Sequence, residues 1–193
     1  MDNVDKKILK DLDLISGDIR DYDFLHQQTK KIDVIIHLAA LIGIPYSYHA
    51  VKSYIDTNVT GTYNVLNSAK INNVSKTIIT STSEVYGISK DKLFNEYSTN
   101  LVVGPVSKHR WIYSISKQLL DRIIIALAEK KQLEYTIFRP FNWIGPKIDS
   151  LKQAELRNGR VLTIFIYNLL YNKDIVLVGN GKQKRSFTYI DDG

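Results

Sequence analysis

Residues 34–40 read Val-Ile-Ile-His-Leu-Ala-Ala, an apolar run of strand length with one histidine inside it. A strand with one wet face alternates apolar and polar side chains. An unbroken run predicts a strand covered on both faces, as in a parallel sheet between helices. Residues 12–16, 77–81, 135–138 and 175–178 are further short stretches of strand character. Between them lie segments with helical spacing. These are 21–29; 54–71, with Val59, Tyr63, Val65, Leu66 and Ala69; 112–129, striped by Ile112, Ile115, Leu119, Ile123 and Leu127; and 160–170. Asn72-Asn73 stops the second helix, and Gly179-Asn180-Gly181 predicts a turn before a strand-like 186–190. Strands alternating with helices make βαβ units joined into a parallel sheet, which predicts an α/β fold.

The strand at 77–81 shows where chemistry would sit. Its β-branched run gives way at 80–87 to Thr-Ser-Thr-Ser-Glu-Val-Tyr-Gly, so Ser81, Thr82 and Glu84 fall where the strand leaves the core. In open parallel sheets, ligands gather at these carboxyl ends. About thirty residues on, Tyr113-Ser-Ile-Ser-Lys117 sets a phenol and an ammonium one helical turn apart on one face. Tyr-x-x-x-Lys also occurs at Tyr48/Lys52 and Tyr86/Lys90, but only Tyr113/Lys117 opens a long amphipathic helix after a strand ending in hydroxyls. A carboxylate, hydroxyls, a phenol and a lysine around one cleft are the groups of proton and hydride chemistry. His37, inside its apolar run, reads as a packed core histidine. The four histidines (26, 37, 49 and 109) show no metal-ligand spacing, so no metal is expected.

At 193 residues, 44% of them apolar and 24% charged, the chain has the make-up of an ordinary soluble domain with part of another. It holds no apolar run long enough to span a membrane and begins without a hydrophobic leader, so no membrane association is expected. The absence of cysteine excludes disulfides and thiolate metal sites and fits a cytoplasmic location. The net charge of +6 is concentrated late: 147–185 holds eight Lys and Arg against three acids, which is +5 of the total. Such a region suits an anionic ligand. Basic stripes interleaved with aromatics are absent, so a diphosphate is favoured and no nucleic acid is expected. A dinucleotide fold should open on strand, G-x-G-x-x-G and helix, whose amides hold the pyrophosphate. The 193 residues contain no such loop, and the chain reads as cut at both ends.

Five stretches in order, Leu38-Ala39-Ala40, Asn58-Val59-x-Gly61-Thr62-x-Asn64-Val65-Leu66, Ser81-Thr82-Ser83-Glu84-Val85-Tyr86-Gly87, Tyr113-x-x-x-Lys117 and Arg139-Pro140-Phe141-Asn142, resemble the extended short-chain dehydrogenase/reductase family. These are the NAD-dependent nucleotide-sugar epimerases and dehydratases. The resemblance covers about 12–193. It implies a Rossmann-like doubly wound parallel sheet lacking its first βαβ glycine-loop unit. A partial NAD-binding region would occupy 1–145, and the start of a small nucleotide-sugar-binding region 146–193.

Within the family the second half is most similar to the UDP-glucuronic acid decarboxylase domain of the bifunctional aminoarabinose enzymes, through 104–114, 139–146 and 181–185. Val176 stands where that domain has a ligand-contacting lysine. The first half is similar to epimerases and 4,6-dehydratases in general. The resemblance implies Tyr113, Lys117, Thr82 and Glu84 as catalytic residues. It implies NAD contacts at Asp18, Ile19, Leu38, Ala39, Ala40, Asn58, Tyr113 and Lys117, and contacts to a UDP-sugar substrate at Tyr48, Ser83, Asn142, Arg160 and Arg185. A full-length form would be a homo-oligomer. The implied reaction is oxidative decarboxylation of UDP-glucuronate; 4-epimerisation, 4,6-dehydration, and a non-catalytic chain that only binds sugar nucleotide remain open.

Overall fold

The computed structural model describes residues 10–193 except 131 and 158, and the chain divides into two compact units that meet in sequence between Arg139 and Pro140. In the first unit, α1 (Tyr22–Gln28) starts at Asp21, whose carboxylate accepts the Phe24 N–H at 3.0 Å. That acceptor satisfies one of the N–H groups every helix start leaves free. Three strands, β1 (Val34–His37), β2 (Lys76–Thr80) and β3 (Tyr135–Phe138), form a parallel sheet in the order β1-β2-β3. Ile36 lies opposite Ile78, and Ile78 opposite Thr136.

Parallel neighbours need long crossovers, and both are helical. The first comprises α2 (Ile44–His49), α3 (Val51–Tyr54), a π-helical segment Ile55–Gly61 and α4 (Thr62–Ile71). The second comprises the 3₁₀ turn Ser83–Tyr86 and the long α5 (Trp111–Glu129). Leu66 and Ala69 of α4, Val74, Ile79 of β2, Ile124 of α5 and Leu133 pack into one core. Each large aliphatic side chain buried this way stabilises by about 1.5–3 kcal/mol. The cluster thereby ties β2, whose end carries the candidate site, to both crossover helices.

The second unit has a two-stranded parallel pair, β4 (Trp143–Ile144) with β5 (Thr188–Tyr189), and two helices, α6 (Leu151–Glu155) and α7 (Val161–Leu170). Ser150 and Gln153 start α6 with a reciprocal capping box: Ser150 Oγ accepts the Gln153 N–H at 3.2 Å, and Gln153 Oε1 accepts the Ser150 N–H at 2.8 Å.

Four expectations change. β1 is not covered on both faces, since Val34 and Ile36 are 48% and 62% exposed and only His37 is buried. Segment 12–16 pairs with no strand among the described residues, and Leu12, Leu14 and Ile15 are exposed. Alternation suits a strand, but only a neighbour's N–H and C=O groups make one. Segment 175–178 is likewise exposed and unpaired among the described residues.

On α5 the buried side is Trp111, Tyr113, Ser114, Lys117, Gln118, Leu120, Asp121 and Ile124. Ile115 and Leu119 of the expected stripe are exposed, while Ile123 and Leu127 pack partly against the core. The helix is turned so that a polar column faces inward, because that column finds hydrogen-bond partners there.

Candidate active site

Beyond β2, the Ser81 N–H donates to the Phe138 carbonyl at 2.7 Å, the last rung beside β3. Thr82 follows and caps the 3₁₀ turn, its Oγ1 accepting the Glu84 N–H at 3.2 Å. Tyr113 lies in the first turn of α5, its phenol near enough to the Thr82 hydroxyl for that group to favour the phenolate. One turn on, Lys117 Nζ donates to the Thr80 carbonyl at 2.9 Å. Another turn on, Asp121 Oδ2 accepts from Arg139 Nε at 3.0 Å and Nη2 at 2.9 Å, and Arg139 Nη1 donates to the Tyr86 hydroxyl at 3.1 Å. Tyr113, Lys117 and Asp121 thus form a column at i, i+4 and i+8, clamped to the ends of β2 and β3.

Two glycines let the backbone close around this column. Gly87 sits at φ 61°, bridged to Val102, and a Cβ there would stand 1.8 Å from the Val102 carbonyl oxygen. No L side chain fits that position. At Gly104 a Cβ would meet the Trp111 indole nitrogen at 2.4 Å, so the loop lies directly on the first residue of α5.

Burial sets the protonation of the column. It pushes the Tyr113 phenol above its usual range, opposed by the Thr82 hydroxyl and reinforced by the Glu84 charge. It pushes the Lys117 ammonium down to about 8, with Asp121 pulling it back up. Burial also raises Asp121 above the usual carboxylate range, opposed in part by Arg139. His37 is lowered to about 4 by burial and by the Lys117 charge, and its Nε2 lies 2.9 Å from Thr62 Oγ1. It is therefore the neutral core histidine that its apolar surroundings predict. The edge of the Tyr54 ring packs against Tyr113, centroids 6.2 Å apart, while its hydroxyl donates to the Gly43 carbonyl at 2.6 Å.

The remaining sequence-derived residues fall as follows. Glu84 is half-buried and pairs with Arg110 at 3.2 Å; that guanidinium lies 4.4 Å over the Trp111 ring. Ser83 opens the 3₁₀ turn. Tyr48, on α2, meets the His109 ring at 6.3 Å. Leu38 and Ala39 are exposed just past β1, with Ala40 half-buried. Asn58 is fully buried and holds the Leu41 backbone at both ends, Oδ1 accepting its N–H at 2.8 Å and Nδ2 donating to its carbonyl at 2.9 Å. Asp18 is engaged by Arg20, which holds its carboxyl down to about 2. The Ile19 carbonyl accepts from Asn64 Nδ2 at 3.2 Å.

In the second unit, Asn142 and Arg160 line a cavity of about 660 Å³ together with Trp143, Ile144, Phe187 and Tyr189. Asn142 Nδ2 donates to the Ser186 carbonyl at 2.8 Å. Arg185 lines a second cavity of about 570 Å³ with Val176 and Leu177. Arg160 is gripped by Asp149, Nη1 to Oδ1 at 2.7 Å. Sequence reasoning missed Asp121, Arg110, Tyr54 and Asp149. Only Asp121 left a local signal, four residues after Lys117 on the same helix face; the others are joined to their partners by tertiary contact.

As a place for NAD, the first unit fits at one end. A phenol, a buried ammonium and exposed backbone past β1 suit a nicotinamide ribose, and Tyr113 and Lys117 would hold that end. The 193 residues offer no glycine-rich cradle for the pyrophosphate. Among the described residues, no group of three or more His, Asp or Glu is placed to hold a metal ion, and no helix is long and apolar enough to cross a membrane.

A family model described as the NAD dependent epimerase/dehydratase family matches residues 2–193. The bifunctional polymyxin resistance protein ArnA of Wigglesworthia glossinidia brevipalpis is 46% identical over 182 residues, covering 93% of this chain and 27% of that protein. The PbgP3 protein from Burkholderia pseudomallei superposes with a TM-score of 0.81 at 33% identity, over 97% of this chain and 56% of that one. The UDP-N-acetylglucosamine 4-epimerase from Methanobrevibacter ruminantium M1, in complex with UDP-N-acetylmuramic acid, gives 0.82 at 28% identity, over 98% and 57%. The chain therefore spans just over half of these solved relatives and about a quarter of the curated one.

Proposed function

The chain belongs to the NAD-dependent epimerase/dehydratase family, and from that premise we propose that it serves NAD-dependent modification of a nucleotide sugar, specifically oxidative decarboxylation of UDP-glucuronate through a C4-keto intermediate. The observation that carries this reading is the buried pair Tyr113 and Lys117, one helical turn apart, with the Lys117 ammonium on the Thr80 carbonyl at the carboxyl end of a central parallel strand and the Thr82 hydroxyl favouring the phenolate.

In this reading Tyr113 takes the proton of the sugar C4 hydroxyl and Thr82 holds that oxygen in line. Bound NAD would supply the hydride acceptor and a positive ring. Burial and the Glu84 charge raise the phenol, so Tyr113 acts as a base only when positive charge stands against it. The Lys117 ammonium, one helical turn from Tyr113 on the same buried helix side and now donating to the Thr80 carbonyl, would supply part of that charge on turning toward the phenol. A ketone at C4 makes the C5 carboxylate of glucuronate a β-keto acid, which loses CO2 readily, and Glu84 serves proton transfer near C5. Arg110 holds the Glu84 carboxylate from the side of α5. The apolar cavity with Asn142 and Arg160 takes the nucleotide, where a guanidinium fork suits phosphate oxygens. The chain acts in the cytoplasm, and a full-length form works as a homo-oligomer.

The test is NADH absorbance and labelled CO2 release from UDP-glucuronate, with NAD raised to saturation. Without a phosphate-cradling loop, NAD binding by the 193-residue chain is expected to be weaker than micromolar in calorimetry. Turnover of UDP-glucose or UDP-N-acetylglucosamine without UDP-glucuronate would replace the decarboxylase reading with epimerase or dehydratase chemistry. Binding of UDP-sugar with no turnover at saturating NAD would leave a binding-only protein.

A further inference from the structure

We propose that Asp149 is a positioning residue that sets the Arg160 guanidinium to receive the diphosphate of a sugar nucleotide, an inference that rests on the sugar-nucleotide reading above. The Asp149 side chain is only 8% exposed, while that of Arg160 is 47% exposed. Asp149 Oδ2 accepts the Arg160 backbone N–H at 2.7 Å and the Thr163 hydroxyl at 2.9 Å. Its Oδ1 accepts Arg160 Nη1 at 2.7 Å, and Nη1 also donates to the Ile148 carbonyl at 3.1 Å. One carboxylate thereby caps the start of α7 and grips the side chain that leaves it.

A guanidinium has five N–H donors. The two on Nη1 are engaged, whereas the Nε and Nη2 edge donates to nothing among the described residues. That edge is the fork that matches two oxygens of a phosphate. Arg160 lines the 660 Å³ cavity, whose Trp143, Phe187 and Tyr189 suit a flat base and sugar. Holding the fork before the ligand arrives removes much of the ordering cost of a long side chain on binding.

The arrangement has a consequence in charge. Asp149 beside a diphosphate is tolerable only while Arg160 neutralises it. Removal of Arg160 alone leaves a bare carboxylate facing an anion, so removal of both should bind a diphosphate better than removal of Arg160 alone. A carboxylate that merely caps a helix gives no such reversal.

Calorimetric titration of the 193-residue chain and its variants with UDP and with uridine tests this. Asp149→Ala is expected to weaken UDP about tenfold while uridine changes by less than about twofold, because only the phosphate contact is lost. Asp149→Asn falls between, and the double variant Asp149→Ala/Arg160→Ala binds UDP more tightly than Arg160→Ala. Should Asp149→Ala fail to fold, Asp149→Asn carries the same UDP-to-uridine comparison. Equal weakening of UDP and uridine, or UDP affinity unchanged by either Asp149 variant while Arg160→Ala weakens it, overturns the proposal. A wild-type chain that binds no UDP overturns the sugar-nucleotide reading and this inference together. One that binds UDP with Asp149 immaterial overturns only the inference.

Discussion

The two units hold their charges in opposite ways. In the first, Lys117 and Asp121 are 4% and 2% exposed, on a helix side that also buries Tyr113. In the second, Arg160 stands half in solvent and a nearly buried carboxylate fixes its geometry. Burial costs the charged form of a group, so it brings pKa values toward one another and lets protons move near neutral pH. Lys117, lowered to about 8 from 10.5, is the clearest instance. Exposure leaves a cation fully charged for an anionic ligand, and hydrogen bonds then supply orientation. In the proposed reading, the first unit's buried groups transfer protons and the second unit's exposed arginine holds an anion.

The sharpest way to break this contrast is to cut one group from each side. Tyr113→Phe keeps the ring packed against Tyr54 and removes the proton-bearing oxygen. Turnover of UDP-glucuronate at saturating NAD should fall by about two to four orders of magnitude, the usual worth of a positioned base. Arg160→Ala should instead raise KM with kcat nearly unchanged, the mark of lost ground-state binding. Steady-state kinetics on both variants decides it; a kcat loss at Arg160 equal to that at Tyr113 would end the division of labour.

A second effect lies in stability. Ile124 is fully buried in the core of the first unit, and Ile124→Ala should cost about 2–5 kcal/mol through lost burial and the cavity left behind. Leu169, on α7 of the second unit, is 64% exposed, and Leu169→Ala should stay within about 0.5 kcal/mol. Urea unfolding measures both. A large loss at Leu169 would mean that something covers the second unit in solution.

The smallest effect is in pH. His37 protonates at about 4 in the folded chain against 6.5 for a free histidine, because burial and the Lys117 charge oppose the imidazolium. Between those values the unfolded chain binds more protons than the folded one. Stability that is full above pH 6.5 is therefore lost as pH falls toward 4, by up to about 3 kcal/mol. His37→Gln should flatten that part of the profile in denaturation midpoints taken from pH 7.5 to 4.5, whereas an unchanged slope would show that other groups carry it.

Much of the first unit is legible in the sequence. The β-branched run at 77–81, the hydroxyls after it and the Tyr113/Lys117 spacing rest on local rules, strand propensity and one turn for helix neighbours, and β2 (Lys76–Thr80) and α5 follow them within a residue or two. The rotation of α5 was not legible. Its apolar spacing points to Ile115 and Leu119 as the inner side, yet both are exposed. What turned the helix was a set of partners distant in sequence: the Thr80 carbonyl for Lys117, Arg139 for Asp121, and the Val85 carbonyl for Gln118. A hydrogen bond to a buried charged group outweighs a modest difference in apolar area.

The sequence by itself determined the strand–helix order from β1 to β3 and the residue types at the end of β2 and the start of α5, because each depends on neighbours within a few positions. Tertiary structure alone decided that 12–16 finds no strand partner among the described residues, that β1 shows Val34 and Ile36 to solvent, and that Asn58 serves the Leu41 backbone. It also decided that Asp149, eleven residues before Arg160, is that arginine's anchor. In each case the outcome depends on whether a partner remote in sequence arrives within hydrogen-bonding or packing distance. No local pattern of residues encodes that meeting.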